Sequence, residues 1–317
     1  MKRASLFTTT VLLCASCLAS CGGQKTKKTT AADTAAATKT YQMPSLPAMI
    51  TDRQEQAQWA ATHYWDNFDF ADTLSVEKWS EYAEQAFVDY DYQLLANIPH
   101  EMGAGSIDGL FKKAAANKAV FGKFLEIAEK YLFDPNSPFR NEEYYIAVLN
   151  AVLANPTLDE WERIRPAEQL RLAMKNRVGD TAADFRYTLA SGATGMMRGL
   201  RARYTLLFFN NPGCPACRET MGQITGSPFL SRLIDEGTLA VLAVYPDDDI
   251  VAWRDYASNI PAAWINSHDA TQTIKGEEVY DLKAIPTLYL LDRDKRVMLK
   301  DVMSIPLIEE TINSNMQ

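Results

Sequence analysis

Thr205-Leu206-Leu207-Phe208-Phe209-Asn210-Asn211-Pro212-Gly213-Cys214-Pro215-Ala216-Cys217-Arg218-Glu219-Thr220-Met221 is the stretch that decides the fold. Residues 204–210 form an apolar, β-favouring run, and the two cysteines follow it where a helix opens. The first turn of a helix carries free backbone N–H groups and the positive end of the dipole, both of which stabilise an anion. Cys214 is therefore placed to become a thiolate, and Cys217, one turn further in, lies beneath it. A thiolate so placed attacks a disulfide and forms a mixed disulfide, which the second cysteine resolves. Close spacing makes that second step intramolecular and fast.

Working outward, the strand candidates after residue 178 are 185–189, 204–210, 239–245, 287–291 and 297–300, with helices near 215–225, 249–257 and 306–315. Alternation of strand and helix predicts an α/β region whose sheet has a parallel portion. Asp292-Arg293-Asp294-Lys295 fits the turn of an antiparallel hairpin between the last two strands.

Upstream, residues 44–176 read as an all-α domain. Ala57, Ala61, Tyr64 and Phe68 recur at helical spacing, as do Trp79, Ala83, Ala86 and Tyr90. A longer stripe runs Leu110, Ala114, Phe121, Leu125, Ala128 and Leu132, with Ser106 as its expected N-cap and Asp134-Pro135-Asn136-Ser137-Pro138 as its stop. A further helix spans about 140–154. Thr157 with Glu160 offers a capping box for the next one, which Pro166 is expected to kink or divide. The aromatic cluster Trp59, Tyr64, Trp65, Phe68 and Phe70 is read as core.

The chain has 317 residues, 47% hydrophobic and 23% charged, which suits about two soluble globular domains. Its formal charge of −8 gives no footing for nucleic acid. The basic run Lys25-Thr26-Lys27-Lys28 sits in a stretch too poor in large apolar side chains to fold. Residues 22–43 therefore read as a tether, with a typical span of about 25 Å. At the start, Met1-Lys2-Arg3 is basic and residues 6–19 supply a short apolar segment, so residues 1–20 read as a signal peptide.

That segment closes on Leu18-Ala19-Ser20-Cys21, which resembles the bacterial lipobox. The resemblance implies acylation of Cys21 and a membrane anchor, the rival reading being a plain secretory signal with an incidental cysteine. Of the five cysteines, Cys14 and Cys17 fall within the signal and Cys21 would be acylated. Cys214 and Cys217 are then left as a solitary pair, which in an oxidising compartment argues for chemistry over scaffolding.

The stretch from Val178 to about Val302 resembles the TlpA/ResA-like thioredoxin-fold proteins of bacterial envelopes. Val178-Gly179-Asp180-Thr181-Ala182-Ala183-Asp184-Phe185 is similar to their opening strand, with Ala183 in place of proline. The segment from Leu206 to Cys217 is similar to their active-site strand, and Ala284-Ile285-Pro286-Thr287 to their cis-proline loop. The resemblance implies a thioredoxin-like domain over 177–317 and a thiol–disulfide oxidoreductase that needs no cofactor. It also implies a cis Ile285–Pro286 bond and substrate contacts at Pro215, Ile285 and Pro286. The chain departs from the pattern in two further places. Phe208 stands where thioredoxins bury an acid, and Thr220 stands where ResA-like members carry a glutamate, with Glu219 one residue short; proton transfer at Cys217 is then expected to rely on water or Glu219, or to be slow.

The helical part, through His63-Tyr64-Trp65-Asp66-Asn67-Phe68-Asp69, resembles a domain of unknown function fused to such modules in envelope lipoproteins of Bacteroidetes-type bacteria. The expected location is the cell envelope, lipid-anchored, at the outer membrane and facing the periplasm. Expected partners are thiol- or disulfide-bearing envelope proteins and a membrane thiol reductase. The absence of histidine between the cysteines favours a reductant.

Metal binding has little support, since only His63, His100 and His268 accompany the pair and none is at finger spacing. Peroxidase chemistry is disfavoured because Asn211, not Thr or Ser, stands three residues before Cys214. The competing reading from another class is a non-catalytic adaptor that uses the thioredoxin scaffold to bind a partner.

Overall fold

In the computed structural model, which describes residues 40–71 and 76–316, helices come first. They are α1 (Arg53–His63), α2 (Val76–Gln93), α3 (His100–Ala114), α4 (Lys118–Ala128), α5 (Glu142–Ala154) and α6 (Glu160–Ala173). Cys21, the signal peptide and residues 22–39 of the tether lie outside the described residues.

Several local expectations are corrected by how the polar groups are used. The stripe from Leu110 to Leu132 is two helices, because Asn117 breaks it and caps α4 by accepting from the Ala119 and Val120 N–H groups at 3.0 and 3.4 Å. Ser106 caps nothing: it is buried within α3 and donates to the Ala61 carbonyl at 2.5 Å, tying α3 to α1. The capping box lies two residues beyond Thr157 and Glu160, at Asp159 and Glu162. Pro166 does not divide α6, which continues through it to Ala173.

The core of this region is aromatic. Trp65 and Phe68 each meet Phe124 edge-on with ring centroids 5.3 Å apart, and Tyr64, Phe87 and Tyr90 are buried around them. Trp59 is not part of it; half-buried, it lies against the His63 ring at 4.8 Å. Tyr41, expected in the tether, is buried against Tyr64 and Trp65 and donates to the Tyr64 carbonyl, so the fold begins before residue 43. α3 and α5 pack closely because Gly103 faces the Tyr144 ring; a Cβ there would lie 2.6 Å from Tyr144 Cε1.

The later elements are β1 (Arg186–Leu189), β2 (Thr194–Met196), β3 (Tyr204–Phe209), α7 (Pro215–Gly226), α8 (Pro228–Asp235), β4 (Leu239–Tyr245), α9 (Ile250–Tyr256), β5 (Ile265–His268), α10 (Thr273–Gly276), β6 (Thr287–Leu291), β7 (Val297–Lys300) and α11 (Ile305–Met316). They build one sheet in the order β2-β1-β5-β4-β3-β6-β7. β3, β4 and β5 are parallel, while β6 runs antiparallel to β3, with Phe209 opposite Thr287.

Every residue of β3 is buried because the strand is covered on both faces. Tyr204, Leu206 and Phe208 pack with α7, α8 and α11; Leu207 and Phe209 face Phe185, Tyr280 and Tyr289 on the other side.

The helical region and the sheet belong to one compact unit, Thr40–Gln317. Charged contacts join them. Arg177 Nε bonds Glu143 at 3.1 Å, Arg140 pairs with Asp301, and Lys300 reaches Glu142 at 2.6 Å. The Lys300 ammonium also donates to the carbonyls of Ala173 and Lys175 at 2.7 and 2.6 Å. Asn176 bridges by donating to Val279 and accepting from the Ala183 N–H, at 2.8 and 2.7 Å.

Candidate active site

β3 delivers the chain to the site and α7 receives it. Asn210 extends the pairing with β4, its N–H donating to the Val244 carbonyl at 3.0 Å, and the chain then reverses through Asn211-Pro212-Gly213. Gly213 has φ of +75°, a left-handed turn that only glycine adopts without strain. Cys214 follows as the N-cap of α7, with Pro215 in the first turn where a missing N–H costs nothing.

Cys214 and Cys217 are joined in a disulfide, with Cα atoms 5.2 Å apart. The Cys217 N–H points at Cys214 Sγ at 3.1 Å, so the first sulfur receives the helix N-terminus. Cys214 is half-exposed, while Cys217 is 2% exposed among Phe208, Ile224, Leu206 and other apolar side chains.

The second wall is the segment 281–286. The Ile285–Pro286 bond is cis, and the Ile285 carbonyl oxygen lies 3.6 Å from Cys214 Sγ. Pro286 is buried and Ile285 half-buried, packing against both cores of the sheet region. Pro215 is exposed beside Cys214. The fold thus brings together Cys214, Cys217, Pro215, Ile285 and Pro286, five residues singled out by the sequence.

One expectation is corrected. Glu219 is exposed on the outer side of α7 while Thr220 is buried, so Glu219 does not sit beside Cys217. Phe208 fills the buried position beneath the pair. The histidines stand apart: His63 pairs with Asp66 at 2.6 Å, His100 stacks on Tyr144 at 5.1 Å, and His268 lies against Trp253 at 4.4 Å. Burial holds the His268 imidazole below its usual range, helped by the Arg254 charge.

Two features escaped the sequence. Asn211 donates to Asp247 at 3.1 Å, and Asp247 pairs with Lys275, so the turn before Cys214 is braced from the loop after β4 and from α10. Lys283, in the second wall, pairs with Glu142 of α5 and lies 2.8 Å from Asp281. Local spacing could flag neither, since the partners are 36 and 141 residues apart in sequence.

A domain of unknown function, DUF5106, matches residues 20–176. A thioredoxin-like protein from Bacteroides caccae, solved crystallographically, superposes with a TM-score of 0.82 at 45% identity, over 87% of this chain and 99% of its own. The chain belongs to the thioredoxin-like proteins.

The C-terminal domain of an uncharacterized Bacteroides fragilis protein also matches, at 41% identity over 44% of this chain and 98% of its own, with a TM-score of 0.42. The thioredoxin domain of a thiol-disulfide oxidoreductase from Bacteroides vulgatus is 17% identical, covering 44% of this chain and 99% of its own, with a TM-score of 0.39. No curated protein matches the chain.

In this thioredoxin-like protein a basic group that the sequence did not flag comes together where β3 starts, away from the disulfide. Arg198, Arg201, Arg203 and Arg293 line a groove of about 960 Å³, with Asp292 beside them. Among the described residues no helix is long and apolar enough to cross a membrane.

Proposed function

We propose that this protein is a thiol–disulfide oxidoreductase acting on proteins, with Cys214 as nucleophile and Cys217 as resolving thiol. The observation that carries the reading is the half-exposed Cys214 sulfur, capped by the Cys217 N–H at 3.1 Å and bordered by the Ile285 carbonyl at 3.6 Å. The N–H and the helix dipole favour a thiolate. The carbonyl favours the protonated thiol, which leaves the sulfur able both to attack and to depart.

In the reduced protein, the Cys214 thiolate attacks one sulfur of a substrate disulfide and expels the other as a thiolate. Cys217 loses its proton to solvent and attacks Cys214 Sγ, breaking the mixed disulfide, releasing the attacked substrate sulfur as a thiolate and leaving the Cys214–Cys217 disulfide. Two electrons pass from the protein to its client, and an upstream dithiol must restore them. The apolar surroundings of Cys217 disfavour its thiolate, so resolution is expected to be the slower step.

The backbone of 281–286 is offered as the docking edge, where an extended client segment would lie against Ile285 and Pro286 with Pro215 opposite. A reductant is the favoured direction, fed by a membrane thiol reductase. The site works from the cell envelope, lipid-anchored through Cys21 at the outer membrane and facing the periplasm. Its clients there are envelope proteins bearing disulfides or thiols.

The test is insulin reduction with dithiothreitol as donor, together with oxidation of a reduced protein by the disulfide form. Turnover by the wild type and none by Cys214→Ser supports the reading; no turnover in either direction by a folded wild type overturns it. A glutathione titration of the Cys214/Cys217 couple then fixes the direction. Loss of acyl-chain incorporation in Cys21→Ala tests the anchor.

A further inference from the structure

The wall that faces Cys214 is held from both ends, and one of its anchors comes from the helical region. At its C-terminal end, Thr287 opens β6 opposite Phe209, and its hydroxyl donates to the Ala284 carbonyl at 2.6 Å. At its N-terminal end, Lys283 lies over the Phe133 ring at 4.7 Å, beside Asp281 at 2.8 Å, and pairs with Glu142 in the first turn of α5. Glu142 divides its carboxylate, giving Oε1 to Lys283 and Oε2 to Lys300. These side chains are 6–13% exposed. The segment just before is attached to the same region: Arg171 pairs with Glu278, Lys175 donates to the Glu278 carbonyl, and Asn176 to that of Val279.

Lys283 is two residues from Ile285, a reach of about 7 Å along the chain at most. A displacement at Lys283 therefore has little backbone in which to dissipate before it reaches the Ile285 carbonyl. It has still less effect on Cys214 itself, whose place is set by β3, Gly213 and the first turn of α7. Removing the Glu142 charge takes away the carboxylate that two buried ammonium groups share. Lys283 keeps Asp281, while Lys300 keeps the two carbonyls of Ala173 and Lys175 and the charge of Asp281, which both ammonium groups must then share. The ammonium groups then move toward water and the segment moves with Lys283.

We propose that Glu142 is a positioning residue for protein substrates: through Lys283 it fixes segment 281–286 beside Cys214, so that the DUF5106 region sets how a client docks without setting the reactivity of the sulfur. The proposal rests on the thiol–disulfide reading above and gives the helical region a part in it. A purely structural joint between the two regions would lower stability and all activities together. A positioning role separates the substrate that needs the docking edge from one that needs only the sulfur.

The experiment compares full-length wild type, Glu142→Gln and Lys283→Met by steady-state kinetics on insulin and on dithiobis(nitrobenzoate), a small aryl disulfide, with a thermal melt of each. The expected result for Glu142→Gln is a rise of about tenfold in KM for insulin, with kcat and the small-disulfide rate within about twofold of wild type. Lys283→Met, which leaves Glu142 paired with Lys300, is expected to raise the same KM and serves as the test if Glu142→Gln does not fold. An unchanged insulin KM, or a parallel fall on both substrates, overturns the proposal while the oxidoreductase reading stands. A wild type inactive on both substrates removes that reading and the proposal with it.

Discussion

The helical region and the sheet region bury large aromatic side chains to the same depth, but they differ in what the burial accomplishes. In the first, Trp65, Phe68 and Phe124 close on one another, and polar groups such as Ser106 and Asn117 tie one helix to another or cap an end. In the second, Phe208 and Phe209 face opposite cores and carry a strand that stops where both cores end, leaving Cys214 half-exposed at the junction. The difference teaches that the sulfur here is presented by an interrupted element, a strand giving way to a helix, whereas uninterrupted packing supplies stability.

The largest effect expected from breaking this contrast is at the junction. Cys214→Ser should lower insulin reduction by about a thousandfold or more while leaving the far-ultraviolet circular dichroism unchanged. In the helical core, Phe124→Ala should cost about 3–5 kcal/mol in chemical denaturation, since the side chain is fully buried and the packing around a cavity relaxes only in part. If the fold survives, the rate with dithiobis(nitrobenzoate) should stay near wild type.

Gly213→Ala meets no neighbouring atom within 4 Å, so its cost is backbone strain alone, about 1–2 kcal/mol. It should also slow turnover, because the strained turn delivers Cys214.

The smallest effect concerns Asp91 on α2. Burial raises its carboxyl from 3.8 to about 6. An acid raised on folding binds protons more tightly in the folded chain, so its share of stability is complete below about pH 4 and is lost as pH rises through 6. Asp91→Asn should stabilise the protein by about 1 kcal/mol at pH 7, allowing for partial solvent screening, and by almost nothing at pH 4. A gain equal at both pH values would contradict this.

The two regions also differ in how legible they were. β3, β4, β6 and β7 could be read because buried strands flanked by turns leave continuous apolar runs, and the strand–Cys214–helix order could be read because its chemistry is local. β5 could not, since Asn266, Ser267 and His268 are polar; Ser267 satisfies its hydroxyl on the Ala243 carbonyl at 2.9 Å, which only pairing with β4 explains. β2 is too short to carry a pattern, and α8 starts at Pro228 immediately after α7 with Ser227 capping it.

In the helical region the periodicity was clear and the ends were not. Ser106 and Thr157 have cap chemistry, but the caps fell to Asn117 and Asp159, whose side chains reach the free N–H groups. At the site, Cys214, Cys217 and the Ile285–Pro286 pair were legible, whereas Glu142 and Lys283 are joined only by the tertiary fold.

The central claim is that Cys214 exchanges disulfides with a bound protein, and the most direct measurement is a trap. Full-length Cys217→Ser, reduced and mixed with an oxidised protein such as insulin, should accumulate a mixed disulfide through Cys214. That adduct should be visible by mass spectrometry, reversed by dithiothreitol and absent from Cys214→Ser/Cys217→Ser. A folded Cys217→Ser protein that forms no adduct over hours at neutral pH would contradict the account.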